Sequence, residues 1–279
     1  MGKPYYLFKY NYIKGDEFTA IAHRGASAYY PENTIESFQG AISMGADMIE
    51  LDVQLTRDGE VVVFHDEKLT RCTNGKGRIA EYALSELKKL DAGSWFGEEY
   101  KGTTIPTLEE VLNLCRNKIA VNIEIKTEAV DEKIRNGIEE KSMNIVEMKG
   151  MREHVVFSSF DPRAIKHLKE IDRTVAAAVK MAAAVLFEKE YYGSKLPSEI
   201  IELLGADAFN CSKNELSKKW LMNLKLNNIP VNIYTVNDKK NMHRFIKSGV
   251  SGIFTNKPDI LKAVLADIKQ TQKSEGKNL

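Results

Sequence analysis

Cysteine, long apolar runs and net charge are all scarce in this sequence, and each shortage argues against a class of protein. Cys72, Cys115 and Cys211 are the only thiols in 279 residues. An odd number spread so widely forms neither a disulfide framework nor a metal-ligand spacing, and it suits a reducing compartment. No apolar run is long enough to span a bilayer. Near the start, Lys3, Lys9, Asn11 and Lys14 interrupt any signal-peptide core. Tyr6 stands where a myristoylation signal at Gly2 would need Ser or Thr. A cytoplasmic protein without a stable membrane anchor is therefore expected. Lys and Arg total 40 against 39 Asp and Glu, with no basic block, so bulk electrostatics imply no nucleic acid or anionic membrane partner. The oligomeric state stays open, a homo-oligomer included.

What is present suits one large α/β domain. Hydrophobic residues make up 43% of the chain, enough for a substantial core. Tyr6, Phe8, Tyr10 and Tyr12 alternate, so residues 1–18 read as an extended arm packed against the body. From Thr19 strand and helix patterns alternate. Thr19–His23 is followed by Gly25, which permits a sharp exit, and by a helix with Asn33 as N-cap and Glu36 completing a capping-box pattern. Thr56-Arg57-Asp58-Gly59 signals a hairpin, so Val61–Phe64 should run back antiparallel. Residues from about 56 to 106 read as an irregular insertion carrying His65 into the site. Further strands are expected at Ile119–Lys126, Val155–Ser158, Thr174–Val179, Ala208–Cys211, Val231–Val236 and Gly252–Thr255. With Met48 opening the second strand, the parallel set numbers eight, each followed by a helix. That predicts a (β/α)8 TIM barrel over residues 19–269, a polar tail over 270–279, and a site at the strand C-termini. A doubly wound sheet is the alternative, weakened because no Gly-rich fingerprint follows the first strand.

The acidic residues stand out against this frame. Met48-Ile49-Glu50-Leu51-Asp52 and Val121-Asn122-Ile123-Glu124-Ile125-Lys126 alternate apolar and charged positions. Strand side chains alternate faces, so Glu50, Asp52, Glu124 and Lys126 point inward while the isoleucines, Leu51 and Val53 pack against helices. Buried charges need partners or a cation. Three hard oxygen donors suit Mg2+, Ca2+ or Mn2+; mutually paired rim charges are the plainer reading. With one divalent ion the carboxylates keep one negative charge, Arg24 and Lys126 add two positive, and a phosphodiester anion brings neutrality. His23 and His65 fall at strand ends beside Arg24 and Asp66 and read as an acid/base pair. His154, His167 and His243 fit surface or capping roles. Phe160 and Tyr234 follow strands and could wall a pocket or equally belong to the core. Asn237 and Asn256 read as loop or cap residues.

These residues resemble a known family. Ala22-His23-Arg24-Gly25-Ala26, Pro31-Glu32-Asn33-Thr34, Glu50-Leu51-Asp52-Val53, Val63-Phe64-His65-Asp66, Glu124-Ile125-Lys126 and Ser158-Ser159-Phe160-Asp161 follow the order seen in glycerophosphodiester phosphodiesterases, from about Thr19 to Ile268. The resemblance implies a TIM barrel with a small insertion after the second strand. It implies metal-dependent hydrolysis of glycerophosphodiesters, such as glycerophosphocholine or glycerophosphoethanolamine, to sn-glycerol 3-phosphate and an alcohol. Glu50, Asp52 and Glu124 would hold Mg2+ or Ca2+, with His23 and His65 as general base and acid. Tyr234 stands where the family generally has Trp, and Asn256 where it has Asp. A lysophospholipase D-like hydrolase is the enzymatic alternative, and a non-catalytic headgroup-binding barrel the other.

Overall fold

The computed structural model describes residues 18–174 and 182–274. The aromatic stretch Tyr6–Tyr12 lies outside the described residues. Strand β1 (Thr19–His23) leads to α1 (Ile35–Ser43), β2 (Met48–Leu55) and β3 (Val61–Val63). Helices α2 (Leu84–Leu87) and α3 (Leu108–Cys115) precede β4 (Ala120–Ile125). Then follow α4 (Ile138–Met148), β5 (Val155–Ser159), α5 (Pro162–Thr174), β6 (Ala182–Leu186), α6 (Lys189–Tyr192) and α7 (Pro197–Leu204). The chain ends in β7 (Ala208–Ser212), α8 (Lys218–Leu226), β8 (Val231–Tyr234), α9 (Lys239–Ser248), β9 (Gly252–Thr255) and α10 (Pro258–Ser274). Eight of these strands run parallel, and the ring closes because β1 bonds to both β2 and β9. The chain forms a TIM barrel. The ninth strand, β3, pairs antiparallel with β2 across the expected Asp58-Gly59 turn.

Side-chain alternation builds two layers from each strand. Ile49, Leu51 and Val53 of β2 and Val121, Ile123 and Ile125 of β4 face outward, sharing one core with Leu108, Val111 and Leu112 of α3. The inward faces start with a floor of Ile21, Met48, Ala120, Val156, Ala182, Ala184, Ala208 and Phe254, mostly small residues that fit the taper. Asn122, Ser158 and Asn210 come one step further along their strands and meet Asn232 of β8, pairing as Asn122 Nδ2 to Ser158 Oγ and Asn232 Nδ2 to Asn210 Oδ1, both 2.8 Å. The charged rim follows.

The insertion is less irregular than its glycine content suggests. Val62, Phe64, Leu69, Cys72, Ile79, Leu87, Ala92 and Ile105 form a separate buried cluster beneath it. At Gly93 a Cβ would meet the Tyr100 carbonyl oxygen at 1.9 Å, so only glycine allows that crossing.

Several boundaries differ from the sequence reading. The fifth barrel strand, β6, is Ala182–Leu186 rather than Thr174–Val179; α5 runs to Thr174, and 175–181 lie outside the described residues. Val175–Val179 and Met181–Leu186 carry nearly the same alanine-rich apolar pattern, so periodicity could not choose between them. Thr34, not Asn33, caps α1, and Ser37 rather than Glu36 closes the capping box. Glu50 and Asp52 lie in mid-strand, because β2 continues past its pairing with β4 into the hairpin. The final helix reaches Ser274, further than its apolar pattern and into the stretch read as a polar tail.

Candidate active site

The acidic cluster forms where β2 and β4 pair in register, Asp52 opposite Glu124 and Glu50 opposite Asn122. One carboxylate oxygen from each of Glu50, Asp52 and Glu124 lies within 4.8 Å of the others. All three residues are at least nine-tenths buried. Glu50 Oε2 accepts the backbone N–H of Arg24 at 2.8 Å, while buried Oε1 has no hydrogen-bond partner. That atom is an unpaired, oriented oxygen donor, and the all-oxygen set fits a hard divalent cation. Burial and the neighbouring Asp52 and Glu124 charges push Glu50 well above the ordinary carboxylate range. Burial also raises Glu124, with Lys126 opposing it. Asp52 goes the other way: against the upward push of burial, Lys126 and Arg24 hold it low. Lys126 Nζ donates to Glu124 Oε1 at 2.9 Å and stands 3.5 Å from Asp52 Oδ1.

Arg24 reaches this cluster because the chain turns sharply out of β1. Its φ is +55°, and Gly25 follows at +81°, where a Cβ would strike Ser37 Oγ at 2.4 Å. The expected glycine exit is therefore a steric requirement of the site. Arg24 Nη1 donates to Glu32 Oε1 at 2.8 Å and Nε stands 3.4 Å from Asp52 Oδ2. Asn33, released from capping and also at positive φ, donates Nδ2 to Asp52 Oδ2 at 2.8 Å.

The two histidines flank the carboxylates from different elements. His23 ends β1, and its Nδ1 is 2.8 Å from Asn256 Oδ1. An amide oxygen only accepts, so Nδ1 carries the proton and Nε2 is left basic. Burial, then the Arg24 charge, lowers the His23 pKa to about 4. Asn256 is thus the partner of His23, not the loop or cap residue its position suggested; Asn237 does act locally, accepting the Asn256 N–H at 2.8 Å. His65 follows β3, with Nδ1 2.6 Å from Asp66 Oδ1. Its backbone is held from the barrel by Gln54, whose Nε2 lies 2.7–3.2 Å from the carbonyl oxygens of Phe64, His65 and Asp66.

His23, Arg24, Glu50, His65, Glu124 and Lys126 line one cavity of about 230 Å3, with Asp52 directly behind them. Its other wall is mainly apolar, Phe160, Leu186, Tyr234 and Phe254 with Thr235 beside them. Phe160 and Phe254 meet the Tyr234 ring edge to face, with centroids 5.9 and 6.3 Å away. The pocket thus joins a charged half from β1, β2 and β4 to an aromatic half from β5, β8 and β9. Every residue expected at the site is brought together here. Gln54, Glu32, Asn33 and Asn256 complete it. Glu32 and Asn33 lay inside a recognised motif, and Asn256 stood at a departure from the family pattern, but nothing local to Gln54 marked it. His167 is neither exposed nor a cap; its Nδ1 is 3.0 Å from the buried Glu139 Oε1.

Comparison with known proteins agrees with this geometry. Residues 23–260 match the Glycerophosphoryl diester phosphodiesterase family. A glycerophosphodiester phosphodiesterase of Caldanaerobacter subterraneus subsp. tengcongensis is 39% identical over 242 residues, covering 86% of this chain and 95% of the relative. One from Bacillus subtilis is 35% identical over 274 residues, covering 92% and 89%. Among solved structures, an Oleispira antarctica phosphodiesterase in complex with the product sn-glycerol-3-phosphate superposes with a TM-score of 0.80 at 27% identity, covering 91% of this chain and 99% of that one. With residues 23–260 matched and relatives 35–39% identical over most of its length, the chain belongs to the glycerophosphodiester phosphodiesterase family of hydrolases.

Proposed function

We propose that this hydrolase splits small glycerophosphodiesters such as glycerophosphocholine and glycerophosphoethanolamine into sn-glycerol 3-phosphate and an alcohol, and that it does so with a divalent cation, Mg2+ or Ca2+ with Mn2+ as a further option. The observation that carries the reading is the free Glu50 oxygen aimed among two further buried carboxylates, beside a cavity that also holds two cations and two histidines. Glu50, Asp52 and Glu124 would hold the cation, which when bound supplies charge neutralisation at the phosphodiester. Arg24 and Lys126 bind the remaining phosphate oxygens. His23 Nε2 takes the proton of the attacking hydroxyl, either a water, which gives sn-glycerol 3-phosphate directly, or the glycerol 2-hydroxyl, which gives a cyclic phosphate that a water then opens by breaking the P–O bond to the 2-oxygen. As the new P–O bond forms and the bond to the alcohol breaks, His65 Nε2–H protonates the departing oxygen. Phe160 and Tyr234 wall the pocket and exclude water from its apolar half.

A cytoplasmic location is part of the proposal. Among the described residues no helix is long and apolar enough to cross a membrane. The test is turnover of glycerophosphocholine, glycerophosphoethanolamine and lysophosphatidylcholine, each with a chelator and with defined cations. Hydrolysis of the first two that chelator abolishes is the expected result. Preference for lysophosphatidylcholine would instead mark a lysophospholipase D-like hydrolase, and binding without turnover a headgroup-binding barrel.

Asn256 makes a separate prediction about pH. A neutral partner fixes the His23 tautomer and favours the protonated ring only through its hydrogen bond, without a facing charge. Asn256→Asp adds a facing negative charge, so the His23 pKa should rise by roughly 1–3 units. The acid limb of the kcat/KM profile should move to higher pH by that amount. An unmoved acid limb in Asn256→Asp would remove His23 from the role of base.

A further inference from the structure

Resting on that reading, we propose that Arg71, outside the cavity, is a positioning residue that sets both His65 and Arg24 through the two carboxylates it clamps. Its guanidinium is engaged along two edges. Nε and Nη2 donate to Asp66 Oδ2 and Oδ1 at 2.6 and 2.9 Å. Nη1 and Nη2 donate to Glu32 Oε2 and Oε1 at 2.9 and 2.6 Å. Each carboxylate has a second duty toward the site. Asp66 Oδ1 accepts from His65 Nδ1 at 2.6 Å, and Glu32 Oε1 accepts from Arg24 Nη1 at 2.8 Å. One planar group therefore ties the proposed acid to the proposed phosphate ligand.

The clamp also crosses a structural seam. Arg71 ends a short 3-10 turn of the insertion, anchored by the fully buried Leu69, whereas Glu32 lies on the loop between β1 and α1. A single exposed ion pair at such a seam would matter little. Two bidentate contacts in one plane are a different case, because they restrict both carboxylates in angle as well as distance. Lysine carries the same charge but only a point donor, so it cannot hold the two carboxylates in that arrangement. Without Arg71, Asp66 and Glu32 face each other as like charges and each loses the contact that orients it.

The experiment compares Arg71→Ala and Arg71→Lys with the wild type on two esters of glycerol 3-phosphate, the choline ester and the p-nitrophenyl ester. Thermal melts of each variant accompany the kinetics. Misplacement of the acid should lower kcat on the choline ester by roughly 10–100-fold in both variants. The nitrophenyl ester, whose leaving group needs little protonation, should lose only a few-fold in kcat, while KM rises alike for both esters through Arg24. Added guanidinium should restore part of the choline-ester rate in Arg71→Ala. Equal kcat losses on both esters, tracking a lowered melting temperature, would mean that Arg71 is merely structural and would overturn the proposal. So would an Arg71→Lys variant with the wild-type ratio of the two rates. Should the wild type hydrolyse neither ester, the proposed function itself fails, whatever Arg71 does.

Discussion

Replacing His65 with alanine is expected to lower kcat on glycerophosphocholine by roughly 10²–10⁴-fold, the range for loss of a general acid. The expectation follows from where the ring is held. Nδ1 is committed to Asp66, so Nε2 is the atom available to the cavity. Three backbone carbonyls around it are fixed from the barrel by Gln54, so truncating the side chain leaves the loop in place. The side chain is 30% exposed and fills no core cavity, so the melting temperature should hardly change. Activity and stability therefore separate. On the p-nitrophenyl ester the loss should be far smaller, because nitrophenolate departs without a proton. Steady-state rates on the two esters make the check. Equal losses would place His65 in substrate binding and leave the departing alkoxide without its proposed acid.

The parts of this site that could be read from the sequence are those set by strand periodicity. Glu50, Asp52 and Glu124 occupy alternate positions between apolar neighbours, and a period of two leaves them only one face. Their meeting follows from β2 and β4 pairing as neighbouring parallel strands, which the order of strand–helix units had implied. The rest depends on contacts far apart in sequence. Asn256 meets His23 only because β9 closes against β1. Gln54 reads as one more inward strand residue until the hairpin folds Phe64–Asp66 over it. Asn33 suits a helix cap locally, but Thr34 takes that role and the tertiary demand of Asp52 for a donor claims Asn33. The sixth strand shows the limit for the fold itself. Two adjacent alanine-rich runs fit a barrel wall equally well, and pairing of Ala182 with Val156 selects the second.

Divalent cation should raise the melting temperature of the wild type by roughly 5 °C or more once its concentration reaches about a hundred times Kd, since binding to the folded state alone adds about 2.7 kcal/mol. The metal-free protein bears an electrostatic cost that can be followed by pH. Burial holds the folded Glu50 and Glu124 carboxyls above the ordinary glutamate pKa of 4.5. A carboxyl raised in this way stabilises the fold fully below its unfolded pKa and loses that contribution as pH rises through the folded value. Asp52 runs oppositely, with its contribution present at neutral pH and lost on strong acidification. From pH 4.5 upward, then, these two glutamates should make the metal-free protein progressively less stable, and bound cation should flatten that decline. Glu50→Gln separates the two effects, because the amide keeps the shape and removes the charge. At neutral pH without metal it should melt above the wild type, and added Mg2+ or Ca2+ should barely move it. Calorimetry across pH, with and without cation, makes the measurement. A wild-type melting temperature indifferent to every cation tried, together with full turnover in chelator, would sink the metal role. The buried triad would then be an ion-paired rim, held by Lys126 and Arg24 alone.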